Sequence, residues 1–168
     1  MTRGSAVEVF AGIAVAVAVV GTFGVAPPTA WADDDSTGGE VREITPLSFG
    51  LIGRPALGSN TLDLHWQNNN VTIGGSGDGF HLGEANSGRY LLRGQGYSAV
   101  TVTVQIANFS ADGLVVEEVY LNGPTNTYST TLDGDGVFMG RLGGVVRIET
   151  DATPGLHETD LLMTLDYE

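Results

Sequence analysis

Apolar and polar residues alternate with a two-residue period along most of this chain. Leu62, Leu64 and Trp66 interleave with Thr61, Asp63, His65 and Gln67. Val100, Val102, Val104 and Ile106 interleave with Thr101, Thr103 and Gln105, and Leu161, Met163, Leu165 and Tyr167 with Leu162, Thr164 and Asp166. Successive side chains on a strand point to opposite faces, so each set predicts a half-buried β-strand with its apolar members inward. Weaker runs lie at 46–52, 70–74, 89–94, 114–121, 126–132, 137–142 and 145–150. Turn chemistry separates them: Asn122-Gly123 before Pro124, Asp-Gly at 112–113, 133–134 and 135–136, and Pro154-Gly155. No amphipathic helix stands out. The run 114–121 is compatible with one or two helical turns, and 25 glycines would weaken any long helix. Eight to ten short strands at this spacing predict an all-β sandwich.

The pattern is different before residue 33. Arg3 is followed by an apolar stretch from Val9 to about Val25, then Pro27-Pro28, then Ala30-Trp31-Ala32 and Asp33-Asp34-Asp35. A basic start, an apolar core, a small-x-small site and an abrupt acidic boundary predict a cleavable signal peptide over 1–32. The rival is an uncleaved membrane anchor, because the apolar run approaches the length needed to span a bilayer. The Pro-Pro pair and the Ala-x-Ala site favour cleavage, although Glu8 is unusual for such a segment. The expected organisation is therefore a signal peptide at 1–32, a flexible acidic leader at 33–43 and one β-sandwich domain at 44–168. Export to the periplasm, cell surface or medium follows, with no membrane association once the signal is removed.

Composition narrows the chemistry. The chain has no cysteine, which excludes disulfide staples, lipid anchoring through an N-terminal Cys, thiol catalysis and cysteine metal sites. A single core must hold the fold. Seven basic residues, all Arg, face 20 acidic ones, for a net charge of −13. Arg3 and Glu8 cancel, so cleavage leaves that charge unchanged. Its sign repels nucleic acid and anionic membranes and suits solubility in an exposed environment; calcium or a cationic ligand is the sharper alternative.

The order of several short motifs resembles a bacterial exported family of unknown function, the DUF4402 family. Leu47-Ser48-Phe49-Gly50 is similar to its opening strand. Tyr90-Leu91-Leu92-Arg93-Gly94 followed by Ala99–Gln105 is similar to its central pair. Gly143-Gly144-Val145-Val146-Arg147-Ile148, Thr153-Pro154-Gly155-Leu156 and Thr159–Tyr167 are similar to its close. Leu156 stands where that family usually has Tyr, and Glu158-Thr159 where it has a Gly-Thr pair. The closing pattern is also similar to spore-coat-U and chaperone–usher pilin domains. The resemblance implies an immunoglobulin-like, pilin-like sandwich and a fimbria-like surface role. Other copies of the chain or other surface-assembly proteins are the partners expected on that reading. It implies no catalytic residues.

The candidate chemistry is sparse. His65, His81 and His157 stand apart without a metal-ligand spacing, and no serine sits in a G-x-S-x-G elbow. Glu117-Glu118 would face opposite sides of a strand. Asp133-Gly134-Asp135-Gly136 lacks the further ligands of a calcium loop, and the Gly-rich run 74–79 occurs once. Both read as turns or flexible loops. No catalytic, cofactor-binding or metal residue is assigned, and no cofactor is expected. The leading expectation is a non-catalytic structural or surface-assembly protein, not an enzyme. The alternative is a surface module binding a glycan or other extracellular ligand, for which Trp66, Tyr97, Tyr120 and Tyr128 are the aromatic candidates, with Trp66 expected in the core.

One further expectation concerns assembly. The arm 33–44 is poorly suited to lend a strand to a neighbour, since Val41 and Ile44 are its only large apolar residues and fall on opposite faces. The run Thr159–Tyr167 is expected to complete its own sheet, giving a self-complete monomer. Processing makes a direct prediction. Exported protein should begin at Asp33 by intact-mass measurement; a membrane-held species still carrying 1–32 would exclude cleavage.

Overall fold

The computed structural model describes residues 7–17, 40–107, 109 and 111–168. They form twelve strands and no helix. The strands are β1 (Val7–Val17), β2 (Glu40–Thr45), β3 (Leu47–Gly53), β4 (Asn60–Leu64), β5 (Val71–Gly75) and β6 (Phe80–Leu82). They continue with β7 (Gly88–Arg93), β8 (Ala99–Ala107), β9 (Leu114–Leu121), β10 (Thr127–Thr131), β11 (Val137–Ile148) and β12 (Gly155–Tyr167). One sheet runs β10-β8-β12-β1-β3-β6 and the other β2-β7-β11-β4-β5, with β9 also paired to β11. All pairings are antiparallel except that of β1 with β3. The protein is an all-β sandwich.

The inward faces follow the two-residue period. Val100, Val102 and Val104 of β8 and Leu161, Met163 and Leu165 of β12 are buried, while Gln105 and Asp166 are exposed. Leu62 and Leu64 of β4, Tyr90 and Leu92 of β7, and Leu142, Val146 and Ile148 of β11 supply the opposing face of the same core. No cysteine contributes, so apolar burial and the strand ladders carry the stability.

Two glycine positions explain local departures from strict alternation. At Gly50 the backbone takes φ +73°, and a Cβ there would lie 2.8 Å from the Glu84 carbonyl oxygen. The left-handed residue shifts the inward set of β3 from Leu47 and Phe49 to Ile52. Gly143-Gly144 does not end a strand. The runs 137–142 and 145–150 fuse into β11 because the missing side chains let both flanking strands close in. A Cβ at Gly143 would meet the Leu64 carbonyl oxygen, and one at Gly144 would lie 2.6 Å from the Glu118 carbonyl oxygen.

Other expectations are corrected. The fusion in β11 and the addition of β1, β2 and the three-residue β6 bring the strand number to twelve among the described residues. Residues 40–43, expected in a flexible leader, belong to β2, which pairs with β7 from Glu40↔Arg93 to Thr45↔Arg89. Trp66 lies beyond the end of β4, in a turn, and is half-buried instead of in the core. Thr159–Tyr167 lies within β12, in the interior of its own sheet. On one side β12 pairs with β8, and on the other with β1. The cleavage residues Ala30–Asp33 lie outside the described residues.

The face assignment of β12 can be tested directly. Met163 is 1% exposed and Thr164 half-exposed. Met163→Asp would bury an unpaired charge at a cost on the order of several kcal/mol, a large part of the roughly 5–15 kcal/mol that holds a domain. Thr164→Asp should cost about 1 kcal/mol or less. Chemical denaturation of the two variants should separate them widely; matching midpoints would refute the assignment.

Candidate functional site

The residues that could carry chemistry are dispersed, and most are used to brace turns. His65 lies in the turn after β4, stacks on Trp66 with ring centroids 5.9 Å apart, and accepts from the Gln67 N–H at Nδ1 (3.2 Å). His81, on β6, has Nε2 2.8 Å from the Phe49 carbonyl oxygen, to which it donates. His157 donates from Nε2 to the Thr153 carbonyl oxygen (2.7 Å). The three imidazoles thus hold three separate segments. Among the described residues no three His, Cys, Asp or Glu side chains gather as metal ligands.

Both acidic glycine loops are braced by their own carboxylates. Asp133 Oδ1 accepts from the backbone N–H of Asp135 (3.0 Å) and Val137 (2.7 Å), which closes the turn into β11. Asp78 Oδ1 accepts from the N–H groups of Leu57 (3.1 Å) and Ala56 (2.7 Å). Those two bonds, Leu57 first, hold its carboxyl below the ordinary aspartate range. The run 74–79 is further tied by Asn60, which had no distinguishing mark in the sequence. Its Nδ2 donates to the carbonyl oxygens of Gly74 and Gly77 (both 3.1 Å), and its Oδ1 accepts from the Gly79 N–H (2.8 Å). Asn60 is 4% exposed, and these partners are what makes burying an amide tolerable. A loop expected to be flexible is therefore pinned.

A shallow groove of about 440 Å³ runs between β8 and β9, lined by Ile106, Glu117, Glu118, Tyr120 and Asn126 among others. Here the expectation for Glu117-Glu118 fails. A bulge opposite Val145 and Val146 interrupts the alternation of β9, so both carboxylates are exposed and border the same groove. Glu117 pairs with Arg147 Nε at 2.7 Å, and Arg147 also bridges to Glu149. Burial first, then the charges of Asp63 and Glu118, push the Tyr120 phenol up to about 12. A hydrogen bond between Tyr120 and Glu118 adds to that rise.

The aromatic candidates for a binding face do not converge in this groove. Tyr120 lines it. Tyr128 stacks on Phe138, ring centroids 5.6 Å apart. Tyr97 is 81% exposed with a left-handed φ of 59°. A separate set of exposed apolar side chains, Leu57, Ile73, Phe80 and Leu82, comes from β5, β6 and the loop before β4.

The most distinctive feature is the place of β1. Its eleven residues pair with β12 without a break, from Val7↔Leu165 to Val17↔Gly155. On its other side it runs parallel to β3, with Ile13 opposite Leu47 and Val17 opposite Ile52. The segment expected as the core of a signal peptide thus occupies an interior strand. A mark was present in the sequence: Val7, Val9, Ile13, Val15 and Val17 put β-branched residues at every second position but one, the exception being Ala11. Glu8 falls opposite half-exposed Thr164. Compared with protein family models, curated proteins and solved structures, the chain matches none.

One titratable pair inside the sandwich yields a prediction. The buried Tyr90 hydroxyl donates to Glu43 Oε2 (3.1 Å) across β7 and β2. Burial raises the Glu43 carboxyl above its ordinary value of 4.5, and the Tyr90 bond offsets part of that rise. The folded state therefore holds this proton more tightly than the unfolded chain. Stability falls as pH climbs from 4.5 through the raised value, and the loss is complete above it. Glu43→Gln keeps an oxygen acceptor for Tyr90 and removes the ionisation. Relative to the variant, the parent should lose stability between pH 4 and pH 7, read as urea midpoints; a relative gain would show that the ionised carboxylate is favoured.

Proposed function

We propose that this chain is an exported, non-catalytic structural protein that assembles at the cell surface. The observation carrying the proposal is the coincidence of two roles in residues 7–17. They have the composition of an export segment, and they fill an interior position of a sheet. If export removes 1–32, the remaining chain keeps a core but has two strand edges, β12 and β3, facing each other across a missing strand. Such an opening is a site for β-strand addition. The dispersal of the titratable groups supports a role without catalysis. The resemblance to the DUF4402 family and to pilin-like domains supports the same surface reading, and the acidic charge suits an exposed location.

A surface binding module is the second reading, favoured by the exposed set Leu57, Ile73, Phe80 and Leu82. Expression of a C-terminally tagged full chain in a bacterial host separates the two. On the assembly reading, fractionation and immunogold microscopy should find the tag outside the cell, in high-molecular-weight material released by shear. Tag confined to the cytosol would overturn export, and a released free monomer would overturn assembly.

A further inference from the structure

We infer that this chain stacks on copies of itself, with the outer face of β2, β7 and the first half of β11 in one copy lying against the outer face of β8 and β12 in the next. The inference deepens the assembly reading above by naming the contact, and it does not depend on removal of residues 1–32.

Charge is divided between the two outer faces of the sandwich. Cross-strand partners share a face of a sheet, so the register places Arg89 and Arg93 of β7 on the same side as Arg141 of β11 and Arg42 of β2. Tyr90 and Leu92 point the other way, into the core. Four of the chain's seven arginines therefore stand on one patch, with Glu40 among them. Glu40 is 3.9 Å from Arg93, at the limit of an ion pair. Arg89 stands directly opposite Arg141, and no ion pair among the described residues reaches either. Like charges so placed repel each other, and an acidic surface laid over them relieves that repulsion.

The other outer face has the reverse character. None of β8, β10 and β12 contains an arginine. Asp160 and Asp166 of β12 face outward beside Ala107 and Thr101 of β8, and Glu168 joins them by accepting from the Thr101 hydroxyl (2.8 Å). The patterns match as well. On the basic patch, Leu91 and Met139 lie between Arg93 at one end and the Arg89–Arg141 pair at the other, about 13 Å away. On the acidic patch, Leu162 and Thr164 lie between Asp160 and Asp166, about 20 Å apart. Long arginine side chains splay to cover the difference.

The outer faces of two packed sheets point in opposite directions. Joining unlike faces leaves one of each kind free, so the contact repeats as an open stack instead of closing as a two-fold dimer. A patch of three strands by six residues measures roughly 15 Å by 20 Å. That is well under the roughly 800 Å² per partner of a standard interface, so each contact is weak and assembly needs concentrated protein.

The full chain is tested by sedimentation velocity at about 0.15 M salt, where a Debye length of about 8 Å limits repulsion between acidic copies. Its weight-average mass should rise about twofold or more on concentration and return to the monomer at about 1 M salt. Arg89→Glu with Arg93→Glu reverses one face, and Asp160→Arg with Asp166→Arg reverses the other. All four positions are exposed, and melting temperatures close to the parent's should show both variants folded. Each variant should stay monomeric alone, and an equal mixture should assemble, because each then presents the face the other needs. Reversing the acidic face also lowers the net negative charge, so net charge alone would make that variant associate more. The neutral pairs Arg89→Gln with Arg93→Gln and Asp160→Asn with Asp166→Asn should each weaken association. A parent chain that is monomeric at every concentration, or a mixture no more associated than its components, would overturn the inference. Loss confined to the arginine variants would overturn it in favour of a foreign anion. Assembly of both reversed variants alone would overturn the choice of faces and leave surface assembly standing.

Discussion

A strand inside a sheet must satisfy its backbone N–H and C=O groups on both sides, because water cannot reach them there. The last strand, β12, meets that demand with β8 on one flank and residues 7–17 on the other. One side of the first sheet depends on this arrangement. Leu161, Met163 and Leu165 face the core from β12, and β3 and β6 join the sheet only through β1. An eleven-residue ladder along β12 is also one of the longest pairings in the described structure. Residues 7–17 are therefore the ones that join β3 and β6 to β12.

The polar residues show a consistent division of labour. Where carboxylates and amides cluster with glycine, they bind backbone. Asp78 and Asp133 each accept two N–H groups, and Asn60 satisfies three backbone groups at once. Asp133 closes its own turn, whereas Asp78 ties its loop to residues 56 and 57 before β4. The three histidines are likewise bound to backbone groups, His65 and His157 locally and His81 across to Phe49. What remains exposed carries a net acidic charge and scattered apolar side chains, among them Tyr97, Leu57, Phe80 and Leu156.

Glycine does two opposite jobs here. At Gly50 it permits a left-handed turn of the backbone that displaces the inward set of β3 by one residue. At Gly143-Gly144 it sits in extended strand and removes side-chain bulk, so β4 and β9 can approach β11 from both flanks. The two uses cannot be told apart by composition, since each depends on what lies alongside. This is why two short runs in the sequence became one long strand.

The amino-acid order alone makes the all-β class and the inward faces of the strongest strands legible. Val100, Val102, Val104, Leu161, Met163 and Leu165 alternate with polar neighbours, and side-chain direction on a strand is a local property of the backbone. It also determined the absence of any cysteine chemistry. Which strands are neighbours is settled by packing, because pairing joins residues far apart in the chain. Residues 7–17 and 155–167 meet across nearly the whole chain, and no local pattern encodes that partner. The placement of Trp66 outside the core, the bulge that brings Glu117 and Glu118 to one groove, and the pinning of the glycine loop by Asn60 were decided in the same way. Each depends on a strand end, a register shift or a buried contact that exists only once the sheets have packed.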